Sequence, residues 1–277
     1  MGHRAIWKGH LELGALSCAV ALHAAVSEAE RIRLHIVDRR TRRRVRRQFV
    51  DEETGRPVAR DAQVKGYDTG EGRFVVLEQA EIDAVVPPST HRLEIAHFVP
   101  ADAFDPVFRD RPYFLVPTDR IGREAFAVIR AAMQSENVLG LGRTVLFRRD
   151  RMVLLAPLAH GLAAATLHFD YEVREADTVL DAVPKRRIDA EMIELARHII
   201  RTKRGDFEPA TFGDRYEAAL AELIRAKQAG RKPPRPRAPA EEKVVDLREA
   251  LRRSAGAKTA KPAKKQAGAA GSRRKAG

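Results

Sequence analysis

Seven arginines fall within the nine positions Arg39-Arg40-Thr41-Arg42-Arg43-Arg44-Val45-Arg46-Arg47. No apolar core can take them, so they are solvated or face a partner. A guanidinium bonds a phosphate through two parallel N–H donors, and so many in a short span raise a local field that favours phosphates. In a β ribbon alternate residues face opposite sides, so only about half the run could meet one ligand at a time. The competing reading is an edge hairpin kept from aggregating by its charge. Phe49 is the one aromatic beside the run, and only 6% of the chain is aromatic. Single-strand binders stack bases on aromatic platforms, so this composition favours a protein that tracks the backbone of a duplex. No helix-turn-helix or zinc-finger pattern suggests base reading.

No other constellation points to catalysis. The nine histidines are scattered, and pairs such as His91/His97 and His160/His168 lack the spacings of zinc sites. Gly140-Leu141-Gly142 is an isolated glycine pair inside a predicted strand, with neither a phosphate-binding loop nor a dinucleotide fingerprint around it. The carboxylate pairs Glu28/Glu30 and Glu52/Glu53 sit among other charges and read as solvated faces. No Gly-x-Ser-x-Gly nucleophile turn is present. The expectation is a binding protein with no catalytic residue, no metal and no cofactor.

The charge is unevenly spread. The net charge is +13, and residues 230–277 hold 15 Lys/Arg against 4 Asp/Glu, or +11, which leaves +2 for the rest. A near-neutral body thus carries a basic appendage suited to polyanions, without implying sequence readout. The single cysteine, Cys18, allows no disulfide within the chain, fits a reducing cytoplasm and lies in an apolar stretch as a buried structural thiol. Arg4 and Lys8 ahead of the run Leu13–Val26 resemble a secretory signal, but Glu12, Gly14, Ser17 and His23 dilute it, and it is too short to span a bilayer.

These residues need elements to position them. Residues 6–26 read as one or two buried strands. Ile32, Leu34 and Ile36 alternate with Arg31, Arg33 and His35, which predicts a strand over 30–38. Residues 39–73 are polar and glycine-punctuated, as expected of an extension from the body. A strand at 73–77 leads to a short helix at 78–85, stopped by Pro87-Pro88. Further strands are predicted at 92–99, 113–116 and 162–173, with a hairpin at 138–155 tipped by Arg148-Arg149-Asp150-Arg151. Phe126, Ile129 and Met133 give a helix over 123–134 one apolar face. Asp189 caps a helix carrying Met192, Leu195, Ala196 and Ile199, and a second helix runs over 214–227. Pro233-Pro234-Arg235-Pro236 marks a linker, 241–253 a short amphipathic segment with Val244, Leu247 and Leu251 on one face, and from Leu251 onward a basic, acid-free stretch reads as disordered. No internal repeat is visible. Strands first and helices after make a mixed α/β chain, mainly β.

The order of several short motifs resembles the bacterial Ku family. They are Arg4-Ala5-Ile6-Trp7-Lys8-Gly9 with Leu13-Gly14; Lys65-Gly66-Tyr67 with Val75-Val76-Leu77 and Glu81-Ile82; His97-Phe98-Val99-Pro100, Asp105-Pro106 and Tyr113-Phe114-Leu115-Val116-Pro117; Glu172-Val173-Arg174; Gly205-Asp206-Phe207-Glu208-Pro209 with Tyr216 and Leu223; and Val244-Val245-Asp246-Leu247. Each is weak alone, and the third group is the most specific. The resemblance covers residues 4–254. It implies a seven-stranded β-barrel core over 4–185 from which a two-stranded bridge (about 39–73) arches, a helical arm over 186–229, and a linker, short helix and basic tail over 230–277.

The resemblance also implies a function: a homodimeric ring that threads onto double-stranded DNA ends whatever their sequence and recruits the ATP-dependent DNA ligase of non-homologous end joining. The DNA-contacting residues would then be Arg39, Arg40, Arg42, Arg43, Arg44, Arg46, Arg47, Lys65 and Arg73 in the bridge. Arg143 on a barrel strand and Lys261, Lys264, Lys265, Arg273, Arg274 and Lys275 in the tail would join them. The ligase contact would lie between Asp206 and Arg253. The setting would be cytoplasmic and nucleoid-associated, with no membrane partner. Many family members carry Cys-x-x-Cys-Gly in the bridge, where this chain has Phe49-Val50-Asp51-Glu52-Glu53-Thr54-Gly55, so no thiol or metal role is expected there. A different class of reading is a nucleoid-type architectural protein anchored on DNA by its tail, and a third, suggested by the signal-like start, is a secreted or periplasmic enzyme.

Overall fold

The computed structural model describes residues 4–184 and 186–232. The chain divides between Val179 and Leu180 into two units. The first contains strands β1 (Trp7–Leu13), β2 (Leu16–Ala24), β3 (Lys65–Asp68), β4 (Phe74–Leu77), β5 (Arg92–Pro100), β6 (Arg109–Pro117), β7 (Val138–Leu146), β8 (Arg149–Leu158) and β9 (Gly161–Leu167). It also holds helices α1 (Gln79–Ala84) and α2 (Gly122–Ser135), while a one-turn helix α3 (Ala176–Leu180) crosses the division.

Seven of these strands close a barrel in the order β1-β2-β6-β9-β8-β7-β5, so the expected barrel and the mixed, mainly-strand class are both found. All neighbours are antiparallel except β1 and β5, which close the circle in parallel through His10↔Arg92, Leu11↔Leu93 and Glu12↔Glu94. That seam is tight: a Cβ at Gly9 would sit 2.1 Å from the carbonyl oxygen of His91, the same carbonyl that accepts the His10 N–H at 2.8 Å. Only glycine lets the two backbones approach so closely.

Period-two alternation fills the barrel with Leu11, Val20, Leu22, Leu93, Leu115, Val153, Leu155 and Leu162. Helix α2 lays Phe126, Ile129 and Met133, all buried, into the same core. This is the face its spacing predicts. Cys18 is buried there too, donating weakly to the Leu11 carbonyl at 3.9 Å.

Between β2 and β5 the chain leaves the barrel, and no residue from 23 to 92 is buried. The predicted strand over 30–38 does not form. Only Val37 makes an isolated bridge, to Arg44, and Leu34 and Ile36 are each 66% exposed. Alternation supplies two faces but not a neighbouring strand, and apart from this bridge no residue of 30–38 belongs to a strand ladder. Three other boundaries also shift. β6 begins at Arg109 rather than Tyr113, the β7–β8 turn is Phe147-Arg148 with Arg149 already in β8, and β9 ends at Leu167 before a single 3₁₀ turn at Asp170–Glu172.

In the second unit, Asp189 caps α4 (Ala190–Lys203) by accepting the Glu191 N–H at 3.0 Å. Asp214 caps α5 (Arg215–Gln228) through the N–H groups of Tyr216 and Glu217 at 2.9 and 3.0 Å. Helix α4 buries none of its residues although its apolar positions share one face. The amphipathic segment 241–253 and the basic tail lie outside the described residues.

Candidate nucleic-acid interface

The arginine run lies on the first of three ribbons that make up the excursion. Asp38 N–H donates to the Arg43 carbonyl at 2.9 Å, and Val45 N–H to that of Ile36 at 3.2 Å, which folds 36–45 back on itself. Asp38 builds the turn, its Oδ1 accepting from the N–H groups of Arg40 (2.6 Å) and Thr41 (3.0 Å). Those two bonds hold its carboxyl below the usual range, the Thr41 bond contributing most.

The second ribbon repeats this arrangement thirteen residues on. Asp51 N–H donates to the Arg56 carbonyl at 2.9 Å, and Asp51 Oδ1 accepts from the N–H and the hydroxyl of Thr54, both at 2.8 Å. Asp38-x-x-Thr41-Arg42-Arg43 therefore corresponds to Asp51-x-x-Thr54-Gly55-Arg56. The correspondence extends to the backbone: Gly55 has φ +66° and Arg42 φ +56°. A left-handed conformation costs an ordinary L-residue about 1–2 kcal/mol, yet at the tip of the first ribbon it is held by an arginine.

Arg39, Arg40, Arg42, Arg43, Arg44, Arg46 and Arg47 are all exposed. Among the described residues no carboxylate forms an ion pair with any of them; Arg44 instead contacts His35 Nδ1 at 2.8 Å. Among the described residues, six of the seven guanidinium groups carry neither an ion pair nor a side-chain contact, and that of Arg44 lacks only a carboxylate partner. Along the return limb, Arg44 and Arg46 alternate with Arg43, Val45 and Arg47.

The other expected residues lie elsewhere. Lys65 and Arg73 belong to the third ribbon, the β3–β4 hairpin: Lys65 at its open end, paired in register with Leu77, and Arg73 beside its turn. Arg73 is ion-paired to Glu71 at 3.2 Å. Arg143 stands on the outer side of β7 and pairs with Asp150 at 3.5 Å. Arg73 and Arg143 are thus offset by neighbouring carboxylates, whereas Lys65 has no ion pair among the described residues. Lys261, Lys264, Lys265, Arg273, Arg274 and Lys275 lie outside the described residues. One residue was missed: Arg56, exposed and at the same turn position as Arg43. Its signal is the repeated Asp-x-x-Thr-x-Arg spacing.

The excursion is also apolar where it is not basic. Phe49, Tyr67 and Phe74 are 69%, 67% and 62% exposed, and Leu34, Val50, Val75 and Val76 are exposed with them. So much uncovered apolar surface marks an interaction surface. Among the described residues no group of three His, Cys, Asp or Glu could hold a metal ion, and no helix is long and apolar enough to cross a membrane.

Comparison with known proteins matches residues 12–195 to the family described as the Ku70/Ku80 β-barrel domain. A protein named non-homologous end joining protein Ku from Cereibacter sphaeroides is 49% identical over 96% of this chain and 99% of its own length. Proteins of the same name from Bradyrhizobium sp. and Methylocella silvestris are 37% and 36% identical. They cover 92% and 95% of this chain, and 88% and 99% of their own lengths.

Proposed function

The chain belongs to the Ku β-barrel family, and from that premise we propose that it binds the ends of double-stranded DNA in non-homologous end joining. It does so by contact rather than by catalysis, and without reading sequence. The observation that carries this is the exposed ribbon of seven arginines with no carboxylate partner among the described residues. Phosphate contacts supply affinity and register on a duplex but no sequence information.

The working form is a homodimer that encloses the duplex. Two observations support it. The excursion leaves apolar side chains such as Phe49 and Phe74 uncovered within one chain, and α4 has an amphipathic pattern without a buried residue. A second copy is the simplest cover for both. The pathway's ATP-dependent DNA ligase is recruited by the segment between Asp206 and Arg253. The basic residues from Lys261 to Lys275 add sequence-independent affinity for DNA. The protein acts in the cytoplasm, on the nucleoid.

A threading ring distinguishes topologies that a surface binder does not. The test compares linear duplex with the same sequence as a closed circle, for the full chain. Strong preference for the linear form, abolished when Arg42, Arg43, Arg44 and Arg46 are changed to Glu with the dimer intact, is expected. Equal affinity for linear and circular DNA would refute the ring in favour of an architectural binder anchored by its tail.

A further inference from the structure

The barrel interior changes character where β8 begins. Arg149, Arg151, Val153 and Leu155 alternate along this strand and share one face, and Val153 and Leu155 belong to the core. Their ladder partners agree: Arg149 lies opposite buried Leu146, and Arg151 opposite buried Thr144. Two arginines thus occupy inward positions that hold aliphatic residues further along the strand. A third, Arg111, comes from β6, two residues before buried Tyr113.

Arg111, Arg149, Arg151, Tyr113, Thr166 and Asp110 line a cavity of about 250 Å³ at this mouth. Its one acid does not neutralise it. Asp110 Oδ2 accepts the hydroxyl of Thr166 at 3.0 Å, and Arg111 reaches the other carboxylate oxygen only at 4.0 Å. Among the described residues no carboxylate pairs with Arg149 or Arg151. Three guanidinium groups against one carboxylate leave the cup at +2. Across the ladder from Arg151, the hydroxyl of Thr144 is buried and has no hydrogen-bond partner among the described residues. Burial raises the Tyr113 phenol above its usual range, while Arg111 and Arg151 act in the opposite direction. The phenol therefore keeps its proton and can donate. The volume equals that of about eight waters at roughly 30 Å³ each. That accommodates one compact anion and part of its hydration shell but is below the usual size of a drug-like ligand site.

We propose that this barrel mouth is a phosphoryl-binding site, distinct from the arginine ribbon, that takes inorganic phosphate or a terminal phosphomonoester. Forked guanidinium donors from two strands match a tetrahedral oxyanion. The inorganic arm stands independently of the DNA-end reading; the monoester arm rests on it.

The test uses the full-length protein. Inorganic phosphate is titrated in and followed by 31P line broadening, for wild type and for Arg149→Gln/Arg151→Gln. The variant is expected to bind roughly tenfold more weakly for each guanidinium lost. In parallel, blunt duplexes bearing a 5′-phosphate or a 5′-hydroxyl compete for each protein. Phosphate binding lost in the variant, with a wild-type preference for the 5′-phosphorylated end, supports the site and identifies its source as a DNA terminus. Loss of phosphate binding with no end preference supports the site and identifies free phosphate. Phosphate titration unchanged by the double substitution overturns the proposal, even if duplex affinity is intact. Conversely, a variant of the ribbon that loses duplex binding yet titrates phosphate normally would separate the two sites. Arg111→Gln, on a side chain 74% exposed, provides a second variant if the double substitution unfolds the barrel, and it too must weaken phosphate binding.

Discussion

Arg148, at the β7–β8 turn, forms an ion pair with Asp83 on α1. It fastens the returning end of the excursion to the barrel nine residues before the chain re-enters at Arg92 in β5. The two side chains are 59% and 50% exposed, so solvent screens the pair and its worth is small, about 0–1 kcal/mol. A urea double-mutant cycle with Asp83→Asn and Arg148→Gln is expected to return a coupling in that range, with each single variant folding normally. A coupling above about 2 kcal/mol would mean that the pair is desolvated in solution, as it would be if a second chain covered it.

Arg42 and Gly55 hold equivalent left-handed positions in two turns of the same design. Glycine belongs there on backbone grounds, and arginine does not. Arg42→Gly is therefore expected to stabilise the fold by about 1 kcal/mol in thermal or urea unfolding while weakening DNA binding. A gain in stability together with a loss in affinity is the signature of a strained residue retained for contact. A variant both more stable and equally tight would remove Arg42 from the interface.

The elements that were legible in the sequence are those whose partners are local. The 126/129/133 spacing found α2, the Asp189 cap found α4, and the paired apolar runs around Arg148 found the β7–β8 hairpin. The alternation at Ile32, Leu34 and Ile36 misled because alternation describes a half-buried strand, and no neighbouring strand is there to bury either face. The start of β6 was hidden by Arg109, Asp110, Arg111 and Pro112, residues tolerated because the β6–β9 register shifts between Arg109 and Pro112. The parallel seam of β1 and β5 joins strands separated by the whole excursion, which no local pattern reveals. At the site, the arginine run was legible from composition alone. That Arg143 is held by Asp150 needed the β7–β8 register, and that Arg149 and Arg151 face inward needed the phase of β8.

Cys18 is expected to be inert in the native protein. Burial, and secondarily the charge of Asp119, push its thiol from 9.0 up to about 11. At pH 8 this leaves about a hundredfold fewer thiolates than in the unfolded chain, and the thiolate is the reactive form. Alkylation by iodoacetamide should therefore be slow until urea unfolds the barrel. The sign of the linkage follows from a folded value above the unfolded one. The contribution to stability is complete below pH 9 and is lost as pH rises through 11. Rapid alkylation of the folded protein at pH 8 would show that the barrel opens locally at β2.

The salt dependence of DNA binding tests how many arginines of the run touch phosphate. Each phosphate neutralised on duplex DNA contributes about −0.9 to the slope of log affinity against log salt. Neutralising Arg42, Arg43, Arg44 and Arg46 to Gln would flatten the slope by nearly four per chain if every one were in contact. Arg44 and Arg46 alternate with Arg43 along the return limb, so side chains on one face alone can meet a given duplex. The expected change is therefore about two per chain. Arg143→Gln should change the slope by less than one, because Asp150 already offsets that charge at 3.5 Å. A slope unaffected by the fourfold substitution would place the DNA path away from the ribbon, while a change near four per chain would require the ribbon to twist so that both of its faces reach the phosphates.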